Sequence, residues 1–563
     1  MPTIEINLSD LESLVRGKLP RDIDKLNEIL SFVKGMATPV VPTDIENLRV
    51  ELKDGNRPDL WNIEGIARSL RGFLGIERGG RYCIAGRSGI TIEVDHRLRG
   101  IRPFICCSVV KGVRFTDSII RGLMQLQDKL DETYGRKRRR TSIGLYDFDL
   151  VKPPLSYGVS RPDGFSFVPL GFSEKMTLRE ILERHPKGLE YGDIIRHHAV
   201  WPILYDSRSN VLSLPPIINS NDLGRITEDT RNILVEVTGT SYETVSSTLN
   251  IVTLSLADRG GRIYSALVRY PYGGQKQVCT PLFRASKVKV ELSEINSLLG
   301  LSLDGHKVSG LLKRAGFRVL RADSSYLTIE VPFYRIDVMH PVDVIEDIAI
   351  AYGVNSMKPR WPPIVTIGAI SPQERFERSV RELMIGFGFQ EVLTYILTNP
   401  EDLFSKMNVD VGEVVSIANP RIETYTCLRN WLLPSLMGFL SKNTHVSYPQ
   451  RIFEVGYCVL PDRRRPNRVR DVLKLACAII GPGAGFTEAK SILGSLLTNL
   501  GRSHDLEEAR HVSFIEGRCG RIMVEGQELG ILGEIHPKVL ESFGLSEPVV
   551  AFELELWEKL IGQ

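Results

Sequence analysis

The chain has 563 residues, too many for a single hydrophobic core and enough for about three to five domains. Hydrophobic residues make up 42% of it and charged residues 25%, as in ordinary globular proteins, and a net charge of +3 creates no overall field that would indicate a nucleic-acid partner. Its 8 cysteines form no C-x-x-C pair, and there is no signal peptide and no apolar stretch of about 18 residues, so we expect a cytoplasmic protein without structural zinc, secretory disulfides or a membrane partner.

Residues 1–80 predict a small α/β module. The segment IEINLSDLESLV, residues 4–15, indicates a strand followed by a helix capped by Ser9 or Asp10. A turn at residues 54–58 precedes a second helix, whose apolar face consists of Ile63, Ile66, Ala67, Leu70 and Phe73.

Residues 81–275 change to short strands and loops rich in glycine and proline. One clear helix is predicted over residues 117–135, and a basic run follows it directly: Arg136, Lys137, Arg138, Arg139 and Arg140. Such a run can bind RNA phosphates, each contact adding salt-sensitive affinity. A solvated helix end explains the bare pattern more often, so both interpretations stay open.

Residues 204–239 mix small, amide and charged side chains with apolar turns, a composition typical of a ligand pocket. The candidate pocket residues are Leu204, Ser213, Asn219, Arg225, Glu236 and Thr238. A loop-rich surface has a similar composition, and neither a G-x-S-x-G elbow nor a catalytic Cys/His signature accompanies the segment.

Residues 276–357 predict a compact unit with two short helices in a helix-turn-helix rhythm, the first ending near Gly300. A strand from Val331 to Ile336 precedes a helix that begins near Pro341. Four carboxylates lie at this junction: Asp337, Asp343, Glu346 and Asp347. The last three share one helical face, which fits either a hard-cation site or the solvated side of an amphipathic helix.

Residues 358–373 contain four prolines and predict a linker, after which helices and strands alternate over residues 374–563. The glycine-rich segment GPGAGFTEAK, residues 481–490, lacks the Gly-Lys-Ser/Thr close of a phosphate loop. We therefore expect it to be a turn between core elements.

Taken in order, these segments resemble the β subunit of phenylalanyl-tRNA synthetase in its archaeal and eukaryotic form. The resemblance rests on NRPDLWNIEGIAR at residues 56–68, LYDSRSNVLSLPPIINS with EVTGTS, VPFYRIDVMHPVDVIEDIAIAYG at residues 331–353, and TCLRNWLLPSLMGFLSKN, RIFEVG and LGILGEIHP near the C-terminus. Each motif alone is weakly specific, but the ordered set extends over almost the whole chain.

The resemblance implies a Mg²⁺ ion at Asp337, Asp343, Glu346 and Asp347, although one or two direct carboxylates would suffice for it. It also implies that the six candidate pocket residues line an editing pocket, and Glu236 stands where relatives also carry Asp. The implied fold is a multidomain α+β and α/β chain. Its parts are an N-terminal α/β module at residues 1–80, a mixed, β-rich editing domain at 81–275, a winged-helix-like domain at 276–357, and a class II synthetase-like antiparallel sheet domain at 374–563.

The last domain does not carry the class II catalytic motifs. Tyr395 and Ile396 occupy the place of the first motif's proline, RIFEVGYCV lacks the Arg-x-Glu of the second motif, and no Gly-rich Arg segment follows. The family relation then implies an (αβ)₂ heterotetramer in which the α subunit uses ATP to charge tRNA(Phe), while this chain contacts tRNA and hydrolyses mischarged Tyr-tRNA(Phe). Two alternatives remain: an assembly and RNA-binding subunit with an inactive pocket, and a stand-alone metal-dependent enzyme.

Overall fold

The computed structural model describes residues 2–77, 82–273, 276–359, 361–362, 364, 366–556 and 560. It divides into two compact units, residues 1–361 (unit 1) and 362–563 (unit 2), and the division falls inside the segment predicted as a linker. Residues 360, 363 and 365 of that segment, and the predicted domain boundaries at 80–81 and 275, lie outside the described residues. Across the described ranges, no helix combines the length and apolar character needed to cross a membrane.

The N-terminal part of unit 1 is a three-stranded antiparallel sheet, in the order β1-β3-β2, covered by helices. Asn7, rather than Ser9 or Asp10, caps the first helix, because its side chain accepts the N–H of Asp10. All five predicted apolar positions of the helix at residues 63–73 are buried, as its 3.6-residue periodicity requires. The elements are β1 Thr3–Asn7, α1 Leu8–Val15, α2 Ile23–Leu30, β2 Gly35–Val41, β3 Asp44–Leu52 and α3 Ile63–Phe73.

The central part of unit 1 is a ten-stranded mixed sheet with the strand order β12-β11-β10-β7-β4-β14-β5-β13-β6, and β15 pairs with β14. The long helix α8 packs against β5 and β13, and most of its residues are buried. The elements are β4 Ile84–Val94, β5 Phe104–Lys111, α4 Asp117–Lys129, β6 Thr141–Asp147, β7 Leu155–Ser160, β8 Ser166–Phe167, β9 Met176–Thr177, α5 Leu178–Arg184, α6 Pro186–Tyr191, β10 Trp201–Tyr205, β11 Val211–Leu214, β12 Ile218–Asn219, α7 Asn221–Gly224, β13 Asn232–Gly239, α8 Tyr242–Asp258, β14 Arg262–Arg269 and β15 Gln277–Thr280.

The last part of unit 1 combines three helices with an antiparallel sheet in the order β16-β18-β17. The first helix ends at Gly300, as the helix-turn-helix pattern predicts, and the structure places this glycine in the left-handed conformation. The predicted strand over residues 331–336 is wrong beyond Val331: the backbone turns there, and the Arg335 N–H bonds back to the Pro332 carbonyl. The elements are β16 Ser286–Glu291, α9 Leu292–Leu299, α10 Gly305–Arg314, β17 Arg318–Ala322, β18 Tyr326–Val331 and α11 Pro341–Tyr352.

Unit 2 is built on a seven-stranded sheet in the order β19-β22-β23-β27-β26-β25-β24, antiparallel except for the pairing of β19 with β22. The first half of the glycine-rich segment, residues 481–485, is a turn between β23 and α14, and residues 486–490 begin that helix. The Glu534 carboxylate accepts the Phe486 N–H at its start. The elements are α12 Pro372–Gly386, β19 Gln390–Glu391, β20 Leu397–Thr398, β21 Cys427–Leu428, α13 Leu433–Lys442, β22 Gln450–Pro461, β23 Val469–Ile480, α14 Phe486–Asn499, β24 His504–Glu508, β25 Phe514–Val524, β26 Gln527–Ile535, α15 Pro537–Ser542 and β27 Val549–Glu555.

Candidate functional site

A cavity of about 1040 Å³ lies where the two ends of the ten-stranded sheet meet. Strands β6 and β13 line it from one end of the sheet, and β11, β12 and α7 line it from the other. One wall is apolar and includes Ile120, Leu123 and Met124 of α4. Four of the six candidate pocket residues line the cavity: Ser213, Asn219, Arg225 and Glu236.

Glu236 is the buried acid of this cavity, with only 2% of its surface exposed. Its Oε2 accepts a hydrogen bond from the Tyr146 hydroxyl at 2.9 Å, whereas Oε1 has no hydrogen-bond partner among the described residues. Burial raises the pKa of Glu236 to about 7, although the Tyr146 hydroxyl and the Arg102 charge favour the ionised form. The carboxyl group therefore changes its charge close to neutral pH.

A second polar atom beside the cavity lacks a partner. The hydroxyl of Ser213 is buried and makes no hydrogen bond to any described residue. Asn219 faces Ser213 across the β11–β12 pair and is half-buried, so its amide can reach the cavity. Arg225 directly follows α7 and is exposed at the cavity edge, where its guanidinium can meet an anion.

Leu204 and Thr238 lie behind the cavity wall. Leu204 is fully buried in the hydrophobic core of the sheet. Thr238 is also fully buried, and its Oγ1 accepts a hydrogen bond from Arg102 Nε at 3.0 Å. These two residues support the pocket from the interior and are not part of its lining.

The basic run divides into an exposed and a buried part. Arg136, Lys137, Arg139 and Arg140 are exposed, but Arg138 is buried and lines the cavity. The structure therefore corrects the prediction of a surface RNA contact for Arg138. Three successive residues with positive φ, at 136–138, turn this side chain inward from the surface of the run.

Arg138 forms an interior ion pair that the sequence analysis missed. Its Nε lies 3.0 Å from Asp131 Oδ2, and its Nη1 donates to the carbonyl of Ile217 at 2.8 Å. Burial raises the pKa of Asp131 to about 7, against the opposing charges of Arg138 and Arg102. Alternating hydrophobicity cannot reveal such a pair, because both partners are charged.

The four predicted metal carboxylates occupy a second location, between the N-terminal module and α11. They line a cavity of about 20 Å³ together with Asp54 and three cations, Lys34, Arg57 and Arg335. With five carboxylates against these three cations, the lining has a formal charge of −2. Its sign is favourable for a metal cation, but its volume is close to that of a single water molecule.

Arg335 neutralises the two buried carboxylates of this cluster. Its Nη2 lies 2.7 Å from Asp337 Oδ2 and 2.6 Å from Asp347 Oδ2. Burial acts to raise the pKa of Asp337 but the bonds and charge of Arg335 outweigh it, so this pKa lies below its usual range. Burial dominates at Asp347 and raises its pKa.

The two remaining carboxylates are also engaged. Glu346 Oε1 lies 2.6 Å from Lys34 Nζ, and Asp343 Oδ2 accepts the backbone N–H groups of Met339 and His340 at 2.8 and 2.7 Å. Within the described residues, no three acidic, histidine or cysteine side chains are placed to hold one metal ion. The cluster as it stands therefore does not fit a Mg²⁺ ion bound by all four carboxylates, because protein cations engage three of them and backbone N–H groups engage Asp343.

Comparison with known families gives two matches. Residues 288–354 match the tRNA synthetase B5 domain, and residues 358–556 match the phenylalanyl-tRNA synthetase beta chain CLM domain. These matches assign this part of the chain to the aminoacyl-tRNA synthetases.

The same relation extends over the full chain. It is 44% identical to the phenylalanine–tRNA ligase beta subunit of Pyrococcus furiosus and 42% identical to that of Pyrococcus horikoshii, in each case over 99% of both chains. The crystal structure of an N-terminal fragment of the phenylalanyl-tRNA synthetase beta subunit from P. horikoshii matches 62% of this chain and 99% of that fragment, with 38% identity and a TM-score of 0.59. The chain belongs to the family of phenylalanine–tRNA ligase beta subunits and is, with its relatives, a ligase subunit of mixed α/β multidomain fold.

Proposed function

We propose that this chain acts with a catalytic α subunit in an (αβ)₂ heterotetramer, and that its own reaction is the hydrolysis of mischarged Tyr-tRNA(Phe). The α subunit attaches phenylalanine to tRNA(Phe) at the expense of ATP. In this assignment, residues 81–275 form the editing domain, and residues 1–80, 276–357 and 374–563 form the N-terminal module, the winged-helix-like domain and the class II-like domain.

The need for a second site follows from the chemistry of the two amino acids. Tyrosine differs from phenylalanine by one hydroxyl, and a hydrophobic pocket rejects an analogue that adds a hydroxyl by only about 10²-fold. A site that hydrogen-bonds the hydroxyl can discriminate much more strongly, because phenylalanine would leave its buried polar groups without partners. The editing reaction therefore requires a pocket with such polar groups.

The observation that carries this proposal is the pair of unpartnered buried atoms at the cavity, Glu236 Oε1 and Ser213 Oγ. A buried polar atom without a partner costs about 1–3 kcal/mol, so its retention beside a large cavity points to a ligand group that satisfies it. A phenolic hydroxyl can do so: it donates to the Glu236 carboxylate and can accept from the Ser213 hydroxyl.

The remainder of the substrate extends along the cavity, which at about 1040 Å³ has room for more than an amino acid. Asn219 orients the ester, and Arg225 at the edge pairs with a phosphate of the tRNA 3′ end. Among the residues that the structure describes, the cavity lining contains no histidine or cysteine, so we assign the attack to a positioned water molecule. Water adds to the ester carbonyl, the acyl–oxygen bond breaks, and the leaving ribose oxygen of the tRNA takes the proton and becomes a hydroxyl as tyrosine is released.

Closed ion pairs support a non-catalytic role for residues 374–563. Arg429 and Glu454 are nearly fully buried and 2.8 Å apart, and Lys474 Nζ lies 2.7 Å from Glu553 Oε1. A working ATP site needs free cations that stabilise the charge developing on the phosphates. Here these buried cations are already neutralised by their own carboxylates.

Two further sites complete the proposal. The exposed cations Arg136, Lys137, Arg139 and Arg140 contact tRNA phosphates. A Mg²⁺ ion would bind at the outer edge of the acidic cluster, where one carboxylate oxygen of Asp343 and one of Glu346 accept no hydrogen bond from the described residues, and no catalytic step depends on it. Calorimetric titration with Mg²⁺ of the wild type and of Glu346→Gln tests this site, and equal heats in the two proteins contradict it.

The proposal is tested with the chain co-expressed with its α partner. Gel filtration reports assembly, phenylalanine-dependent ATP–pyrophosphate exchange reports activation, and release of tyrosine from Tyr-tRNA(Phe) reports editing. Glu236→Ala and Asn219→Ala should slow deacylation and leave exchange intact, whereas Glu183→Ala, an exposed acid of α5, should change neither. Unchanged deacylation in both pocket variants refutes the pocket assignment.

The same deacylation assay distinguishes the proposed editing function from an assembly subunit with an inactive pocket. If the pocket is inactive and the chain serves only in assembly and RNA binding, the wild-type complex releases tyrosine no faster than the uncatalysed ester hydrolyses. A stand-alone metal enzyme is disfavoured by the absence, among the described residues, of a converging set of three metal ligands.

A further inference from the structure

Tyr146 forms a buried phenol–carboxylate pair with the acid of the proposed pocket. It lies on β6, two positions from Gly144, which faces Glu236 across the β6–β13 pair. A Cβ atom at Gly144 would lie 2.3 Å from the Tyr146 hydroxyl and 2.4 Å from Glu236 Oε2. The absence of a side chain at Gly144 therefore leaves the space in which the two groups meet.

The Tyr146 hydroxyl holds one oxygen of Glu236 and leaves the other free. It donates to Oε2 at 2.9 Å and lies 3.4 Å from Asn219 Oδ1, so it stands between the acid and the amide of the pocket. Tyr146 itself is fully buried and does not line the cavity. It can therefore act on a substrate only through the residues that it contacts.

We propose that Tyr146 is a positioning residue for editing specificity, which fixes the Glu236 carboxylate so that Oε1 accepts the hydroxyl of the tyrosyl ester. This inference rests on the proposed hydrolysis of Tyr-tRNA(Phe). Because a carboxylate that already accepts one phenol keeps its second oxygen oriented, the substrate hydroxyl meets a preformed acceptor and loses little free energy to reorganisation. The bond from the Tyr146 hydroxyl to Glu236 is thus of the same kind as the bond that the substrate hydroxyl would form with the other oxygen of this carboxylate.

The pair also affects when the acid is ionised. The Tyr146 hydroxyl donates to the charged form of Glu236 and so favours it against burial. Removal of this donor raises the pH at which the carboxylate forms. An acceptor that is protonated at neutral pH no longer distinguishes the tyrosyl from the phenylalanyl ester in the same way, because it becomes a donor itself.

The test compares Tyr146→Phe with Tyr270→Phe in the assembled complex. Tyr270 is another buried tyrosine of this domain, but its hydroxyl bonds to the backbone of Ile105. Deacylation of Tyr-tRNA(Phe) and Phe-tRNA(Phe) is measured across pH. We expect the preference of Tyr146→Phe for the tyrosyl over the phenylalanyl ester to fall about tenfold, because a hydrogen bond to a charged group is removed. For the same reason, the acid limb of its pH–rate profile should move up by about one pH unit.

Each outcome is decisive. A uniform rate loss with an unmoved acid limb, or equal effects in both tyrosine variants, overturns the inference and leaves the proposed function standing. A wild-type complex that does not release tyrosine refutes both. A double-mutant cycle with Glu236→Gln gives a second measure: Tyr146→Phe should have no further effect on specificity in that background, and an undiminished effect there also overturns the inference.

Discussion

Replacement of Glu236 by glutamine should stabilise the fold, and the gain should depend on pH in a defined direction. Burial raises the pKa of this acid from 4.5 to about 7. A carboxyl group whose pKa is raised by folding contributes its full stability below the ordinary pKa, and that contribution is lost as the pH rises through the folded-state value. The stability of the wild type therefore falls between about pH 4.5 and 7 as Glu236 ionises, whereas glutamine does not ionise and causes no such loss.

The size of the effect follows from the shift. A pKa difference of about 2.5 units, at about 1.4 kcal/mol for each unit, gives a relative gain in stability for Glu236→Gln of about 3–4 kcal/mol. The gain should grow between about pH 4.5 and 7 and stay constant at higher pH. Asp131 also ionises in this range, but it is present in both proteins and cancels from the comparison to first order.

Hydrogen exchange of the amides of β6 and β13, followed by mass spectrometry, measures the free energy of opening where the acid lies. This local readout avoids the assumption that a multidomain chain unfolds in one step. Glu183→Gln, at an exposed acid, is the control and should show no growing difference. A difference between Glu236→Gln and the wild type that is flat from pH 5 to 8 (roughly the window set by the shift), or that shrinks with rising pH, refutes the reasoning.

Three other outcomes are expected. Arg335→Met should destabilise unit 1 by about 3–5 kcal/mol in thermal or urea unfolding, because it removes the cation shared by two buried carboxylates and leaves Asp337 with only Arg57 at 3.6 Å. Arg318→Met at an exposed site should have little effect, and equal stability of the two variants contradicts the ion-pair role. Lys137→Gln should lower the slope of log affinity for tRNA against log salt concentration by about one, whereas Arg138→Gln should leave this slope unchanged and reduce the stability of the protein. A lower slope for Arg138→Gln and an unchanged slope for Lys137→Gln would place Arg138 on the RNA. Gly144→Ala should impair deacylation and raise the exchange rates of β6, because its Cβ would lie 2.4 Å from Glu236 Oε2; wild-type values for both would show that the pair can move aside.

The sequence predicted those elements whose signal is local. The apolar face of α3, the start of α11 at Pro341 and the end of α9 at Gly300 each depend on periodicity or on the conformational limits of one residue type. The prediction of a strand that continues to Ile336 is wrong, because the Pro332 carbonyl accepts the Arg335 N–H and the backbone turns there. The hydrophobic pattern does not reveal this turn.

The functional sites were predicted less completely, since they depend on residues far apart in the chain. In the sequence, Arg138 cannot be told apart from the other four cations of the basic run. Only the turn of the backbone shows that its side chain points inward to Asp131. The partners of the acidic cluster include Lys34, which lies 312 positions before Glu346, so no local spacing could identify them. Tyr146 was not predicted for the same reason, because its bond to Glu236 joins two strands that are neighbours in the sheet but are separated along the chain by six strands and three α-helices.

The meeting of the sheet's two ends at the pocket has a consequence for how the subunit matures. Tyr146 reaches Glu236 over 90 positions and Asn219 over 73, so the pocket exists only after long chain segments have closed on each other. Such non-local contacts form late, because the entropy of closing the loops is lost before the contacts repay it. A partly folded subunit can thus expose its basic run to RNA while lacking a pocket, and the proposed hydrolysis would begin only when this domain has finished folding.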